Sequence, residues 1–167
     1  TMHNQSVRPT DDEIENTVNT YYNMLFKLCF TNLGNIADAE DAVSDTILKY
    51  MTKSPPFNDD EHCRAWLIRV AVNTCNSMHR FKKRHDYICI DDCRTLAAQD
   101  SDVTVIEEVL KLPEKYKTVL HLHYIEGYKI SEIAGILHIS LSAVKKRLQY
   151  ARDRLKLEYG TEDCNER

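Results

Sequence analysis

At 167 residues and 19.4 kDa the chain has room for one domain or two small ones. Four glycines and four prolines in a composition that is 43% apolar and 29% charged leave little room for an all-β fold. No run approaches the ~18 apolar residues of a membrane span, no signal-peptide pattern appears, and Thr1 ahead of Met2 reads as an added residue before the expected native start. The net charge of −4 argues against a nucleic-acid partner only until its distribution is read.

Residues 12 to 33 predict a helix, closed by Gly34 just past its last turn, where a left-handed conformation favours glycine. Ile36 to Lys53 predicts a second, with Ala37, Val43, Ile47 and Leu48 among its apolar positions and Ser54-Pro55-Pro56 as its stop. Asp38, Asp41 and Asp45 share one face of it. No histidine joins them, and like charges at these spacings repel, so they suit a docking face for a basic partner better than a metal site. A loop through Phe57-Asn58-Asp59-Asp60 leads to a third helix near 60 to 84. Its apolar face is Leu67, Val70, Ala71, Thr74, Cys75, Met78 and Phe81, and Trp66 is expected to pack in the core. The opposite face carries Arg69, Asn73, Asn76, Arg80 and Lys83, a stripe of cations and amides that suits a nucleic-acid backbone and a few bases.

From His85 to Asp102 the periodicity fails and aspartates dominate (Asp86, Asp91, Asp92, Asp100, Asp102), which reads as a linker. Helices resume at Val103–Lys111. Pro113 starts another through about Ile125, and Gly127 turns the chain.

The stretch 128–156, YKISEIAGILHISLSAVKKRLQYARDRLK, then reads as two short amphipathic helices joined by a tight turn, a helix-turn-helix. Ile130, Ile133, Ala134 and Leu137 form the stripe of the first. Ser140 or Ser142 can cap the second, in which Leu141, Val144, Leu148, Ala151 and Leu155 form the stripe. Ser142, Lys146 and Gln149 point away from that stripe. Lys145, Arg152 and Lys156 flank one side, and Arg147 and Arg154 the other. Hydrogen-bonding groups between cations suit a helix that reads bases while its rims hold phosphates.

Two basic segments thus lie within an acidic total. Arg64, Arg69, Arg80, Lys82, Lys83 and Arg84 have no acid among them, and Lys145 to Lys156 holds Asp153 alone against its cations. The cysteines lack paired spacing. Cys29 and Cys75 fall on apolar faces, Cys89 and Cys93 with His85 are a weak metal hint, and reduced thiols are the simpler expectation. His121 and His123 fall on different helix faces and, with His138, read as ordinary helix histidines. No nucleophile–base pair, glycine-rich phosphate loop or paired catalytic acids appear, so neither enzymatic chemistry nor a cofactor, metal or small-molecule substrate is expected.

Three stretches in order carry a resemblance to the bacterial RNA polymerase sigma factors of the sigma-70 family, in the small extracytoplasmic-function (ECF, group 4) type. ADAEDAVSDTILKY (37–50) is similar to the helix that docks on the polymerase β′ clamp. RAWLIRVAVNTCNSMHRFKKR (64–84) looks like the reader of the −10 promoter element, and LPEKYKTVLHLHYIEGYKISEIAGILHISLSAVKKRLQYARDRL (112–155) is similar to region 4, which binds the −35 element. The resemblance implies an all-α protein of two small helical domains joined by a flexible acidic linker: region 2 over 10–84, linker 85–102, region 4 over 103–160. It places Asn73 where the family's RxAxN pattern holds a promoter-contacting asparagine, with Asn76, Ser77 and Arg80 further along, Arg69 and Lys83 beside them, and Phe57 and Asn58 in the loop Ser54–Arg64, which pockets a flipped base. It puts Ser142, Lys145, Lys146 and Gln149 in the major groove at −35, with Ser140, Arg147 and Arg152 alongside. Asp38, Asp41, Asp45 and Leu48 would dock on the core enzyme, and the linker aspartates would mimic nascent RNA in a basic channel.

The implied partners are core RNA polymerase (β′ clamp and β flap), promoter DNA and a cognate anti-sigma factor, in many members membrane-anchored, acting on a cytoplasmic protein. Two other readings fit parts of the pattern. An ordinary helix-turn-helix regulator would bind a palindromic duplex without polymerase. A sigma-like interaction module would never meet a promoter, and the basic stripe Arg69–Lys83 speaks against it.

Overall fold

A computed structural model describes residues 8–82 and 107–155. Helix α1 spans Asp11–Leu33, α2 Ile36–Lys53 and α3 Asp60–Lys82. Local chemistry sets each boundary. The Thr10 hydroxyl accepts from Glu13 N at 3.3 Å while the Glu13 carboxylate accepts from Thr10 N at 2.7 Å, a reciprocal pair that satisfies two orphan donors at the start of α1. Gly34 ends α1 at φ 79°, as its position predicts. Asn35 starts α2 at once, its side chain accepting from Asp38 N at 2.8 Å. Asp59 Oδ1 does the same for α3, accepting from His62 N at 2.7 Å.

These helices bury Leu25, Leu28 and Cys29 of α1, Ala39, Ala42 and Val43 of α2, and Leu67, Ile68, Ala71 and Cys75 of α3. Each large apolar side chain so buried contributes about 1.5–3 kcal/mol. Trp66 packs against this core, as expected. Phe81 does not: it is 90% exposed. The last turn of α3 runs past the end of the core, where Met78 is the final side chain that packs.

In the C-terminal half, residues 107–110 are helical and α4 spans Glu114–Leu120. The helix expected through Ile125 widens into a π-helical turn, His121–Ile125. Glu126 N reaches back five residues to His121 O at 3.1 Å, and beyond Gly127 (φ 74°) Tyr128 N bonds Leu122 O at 2.9 Å. Helices α5, Ile130–Leu137, and α6, Leu141–Leu155, follow as the helix-turn-helix. Of the two candidate serines, Ser140 is the cap, accepting from Ala143 N at 3.1 Å. The turn between the helices passes through His138 at φ 55°, a left-handed position taken without glycine.

No strand occurs among the described residues. The two helical groups match the two expected helical units, but they are packed against each other. One apolar cluster runs from Leu25, Leu28 and Ile68 into Val119, Leu122, Ile133, Ile136, Val144 and Leu148. Both halves carry an apolar flank beyond what closes their own cores, and joining the two removes it from water.

Candidate nucleic-acid interface

The polar stripe of α3 lies where the wheel puts it. Asn73, Ser77 and Arg80 are exposed, Arg69 and Asn76 are half-buried, and Lys83 lies outside the described residues. The Arg69 Nε is buried with no hydrogen-bond partner. Behind the stripe, Lys49 of α2 donates to Thr74 at 2.9 Å, and Thr74 returns its hydroxyl to Val70 O, which fixes the helix against α2. In the loop before α3, Asn58 is exposed. Phe57 is not free: its ring stacks on Tyr50 at 6.3 Å and meets Trp66 and His62 edge-on at 5.7 and 5.4 Å. That cluster gives the loop a rigid aromatic floor.

On α6, Val144, Leu148 and Ala151 face inward. Ser140, Ser142, Lys145, Lys146 and Gln149 are all exposed, and Arg147 and Arg152 half-buried. Gln149 donates to Asp153 at 2.9 Å, a bond at the surface that water or a base can replace. Arg152 is held: its Nε donates to the Tyr124 hydroxyl at 2.6 Å, with the guanidinium 5.6 Å from that ring. Leu141, assigned to the apolar stripe, is 46% exposed, because the first residue of the helix stands clear of α5.

On α2, Asp41, Asp45 and Leu48 are exposed, Leu48 to 56%. Asp38 is otherwise placed. Its carboxylate takes the Asn35 amide at 2.7 Å and an ion pair with Lys82 at the end of α3. Burial works against the charged form, yet Asn35 and Lys82 together hold the Asp38 pKa below its ordinary value. The same pair holds the acidic helix to the last turn of the cationic one. Among the described residues no group of histidine, cysteine and carboxylate side chains forms a metal site, and no helix is long and apolar enough to cross a membrane.

A polar seam between the halves was not legible in the sequence. Asn32 of α1 is fully buried. Its carbonyl accepts from Lys117 Nζ at 2.9 Å and faces His79 Nε2 at 2.7 Å, and its side-chain oxygen accepts from the Thr118 hydroxyl at 2.8 Å. The His121 ring is also buried. The Thr31 hydroxyl, also within hydrogen-bond distance of Lys27 O, lies 2.9 Å from His121 Nδ1. The other nitrogen faces the Glu126 carboxylate at 3.3 Å. Glu126 in turn pairs with Arg64 of α3 at 3.0 Å. Hydrogen bonding from His121, and then Arg64, hold the Glu126 carboxyl below its ordinary value against the burial that opposes them. Arg64 also lies 5.0 Å above the Tyr128 ring, whose hydroxyl donates to Glu61 at 2.9 Å. The only sequence signal for this seam was polar residues on buried helix positions, Lys117 and His121 among them.

The fold and these faces define a two-part, all-helical protein of the nucleic-acid-binding class, with one cationic helix in each half. Residues 17–85 match the model of sigma-70 region 2 and residues 103–155 that of sigma-70, region 4. The chain belongs to the sigma-70 family, as an ECF sigma factor. It is 28% identical over 164 residues to the ECF RNA polymerase sigma factor SigW of Bacillus subtilis, covering 87% of this chain and 88% of that one. It is 27% identical over 139 residues to SigM of Mycobacterium tuberculosis, covering 81% and 71%. Among solved structures it resembles the sigma factor RpoE in complex with the anti-sigma factor NepR from Bartonella quintana, with a TM-score of 0.70 at 19% identity over 89% of this chain and 99% of that one. CnrH in complex with the cytosolic domain of CnrY gives 0.64 at 22% identity, over 88% and 87%.

Proposed function

We propose that this chain directs core RNA polymerase to promoters by reading two DNA elements, one with each half. The observation that carries this is the pair of separate helix faces on which amides and hydroxyls stand between cations. Asn73, Asn76 and Ser77 on α3 read the −10 element, while Arg80, Lys83 and Arg69 hold phosphates. Asn58 and the loop before α3 receive an extruded base, with Phe57 as part of the aromatic floor. On α6, Ser142, Lys145, Lys146 and Gln149 enter the major groove at −35, and Ser140, Arg147 and Arg152 contact the backbone. The exposed acids Asp41 and Asp45, with Leu48 and the edge formed by Asp38, dock on the basic β′ clamp, and the C-terminal half meets the β flap.

The chain supplies the address and the polymerase the chemistry. It works in the cytoplasm, and an anti-sigma factor, by analogy with the NepR and CnrY complexes, restrains it until a signal arrives. Run-off transcription with purified core enzyme on a promoter library tests the reading. Initiation at a defined subset of promoters is expected. Core binding without initiation anywhere would overturn it, and tight binding to a palindrome without core would favour a conventional regulator.

A further inference from the structure

The loop between α2 and α3, residues 54–59, has few backbone groups that can donate. Pro55 and Pro56 carry no N–H, and their rings fix two φ angles in its first half. Asp59 is committed at the other end, where its side chain caps α3 by accepting from His62 N at 2.7 Å. Phe57 and Asn58 lie between, and each is fixed in its own way.

We propose that His62 is a positioning residue for this loop: it holds the Asn58 backbone, so that the exposed Asn58 amide selects which extruded base the loop accepts. The inference rests on the functional reading above, in which the loop receives that base, and adds what makes the reception selective.

The first observation is the bond itself. Asn58 N donates to His62 Nδ1 at 3.3 Å, across one turn of chain. A backbone N–H can only donate, so Nδ1 presents its lone pair and the proton of the neutral ring sits on Nε2. The second is that His62 is held in turn. Its ring meets Phe57 edge-on at 5.4 Å, with the planes 89° apart. Phe57 stacks on Tyr50 of α2 at 6.3 Å, and the buried Tyr50 hydroxyl takes that of Thr17 of α1 at 3.1 Å. The acceptor is thus tied to all three helices of its half. The third is that Asn58 is exposed, with an amide that both donates and accepts. On a mobile backbone that amide would lose to ordering much of what a base contact gives it, and would discriminate less between bases.

The test separates the ring from its acceptor. His62→Asn keeps an acceptor at the δ position without the ring, and His62→Phe keeps a ring without the acceptor. Thermal melting establishes that each is folded. Hydrogen exchange in the full chain should find the Asn58 amide protected in wild type and His62→Asn, and unprotected in His62→Phe. Core enzyme with each full chain then initiates on one promoter carrying each of the four bases at each −10 position in turn. The position where Asn58→Ala lowers discrimination marks the base that the loop takes. There the yield ratio of best to worst base should fall by about three- to tenfold in His62→Phe, the scale of one neutral hydrogen bond. It should stay near wild type in His62→Asn, with core affinity unchanged in both. Equal exchange at Asn58 in all three chains would overturn the proposal. So would a His62→Phe chain that discriminates as wild type does, or that lowers every yield by one factor. Equal loss in His62→Asn would overturn it too, since the ring and not its acceptor would then matter. A protected Asn58 in a wild type that shows no Asn58-dependent preference is a different failure: it would refute the functional reading, and the selectivity with it.

Discussion

Helices α3 and α6 both present amides and cations to solvent, but they are embedded in opposite ways. Around α3, one side enters the core with α1 and α2, a second takes the seam from the C-terminal half, and only the remaining strip is polar and open. Helix α6 ends the described chain, buries Val144, Leu148 and Ala151, and leaves its predicted reading residues at the surface. The proposed −35 face is therefore a module that substitutions can retune locally. The proposed −10 face is coupled to the packing of the whole molecule.

The largest effect should fall on the shared core. Leu28→Ala in one half and Ile133→Ala in the other should each cost about 2–5 kcal/mol in chemical denaturation. Because their cluster is continuous, each should shift a single cooperative transition. Two separable transitions would mean that the halves fold independently and that the comparison of α3 with α6 overstates their coupling.

Substitutions on the two faces come next. Lys146→Ala and Gln149→Ala should relax −35 sequence preference by about 1–3 kcal/mol each, while Arg154→Ala should weaken all sequences alike, read by binding across a −35 library. Asn73→Ala should lower −10-dependent opening by a similar factor in permanganate footprinting while core affinity stays unchanged. Equal loss of both would make Asn73 structural.

Acid should loosen the seam by a smaller amount. The Glu126 carboxyl sits below its ordinary 4.5 in the fold, so the stability it contributes is present above that value and is lost as pH falls through the lowered one. Melting temperatures of wild type and Glu126→Gln should therefore converge as pH falls below 4.5. Divergence there would mean that Glu126 is not held as the geometry indicates. The smallest effect is a gain. His138 stands at φ 55°, and His138→Gly should stabilise by roughly 1 kcal/mol, read as a rise in melting temperature. A fall would show that the His138 side chain contributes contacts within the turn.

Most of the helices and both cationic faces were legible because they depend on neighbours in sequence. Threonine, asparagine, aspartate and serine caps, the Gly34 stop, the double proline and the period of the apolar stripes all act within a turn or two. Legibility failed where distance along the chain became contact in space. The sequence marked Phe81 as core by its period, but the core ends before it. Nothing in the local sequence showed that Phe57 stacks on Tyr50 and meets Trp66 edge-on. Asp38 looked like one of three equivalent acids until Lys82, 44 residues away, came to meet it. The predicted acidic linker, with Cys89 and Cys93, lies outside the described residues.

The sequence by itself determined an all-helical chain with a cationic helix near each end and an acidic face between them, because residue spacing and local hydrogen bonding are enough for that. Only the tertiary structure decided that the two halves close on each other, and through which groups. A buried Asn32, a Lys117 drawn inward and a His121 set beside Thr31 become partners only when residues some 85 to 90 positions apart are brought together.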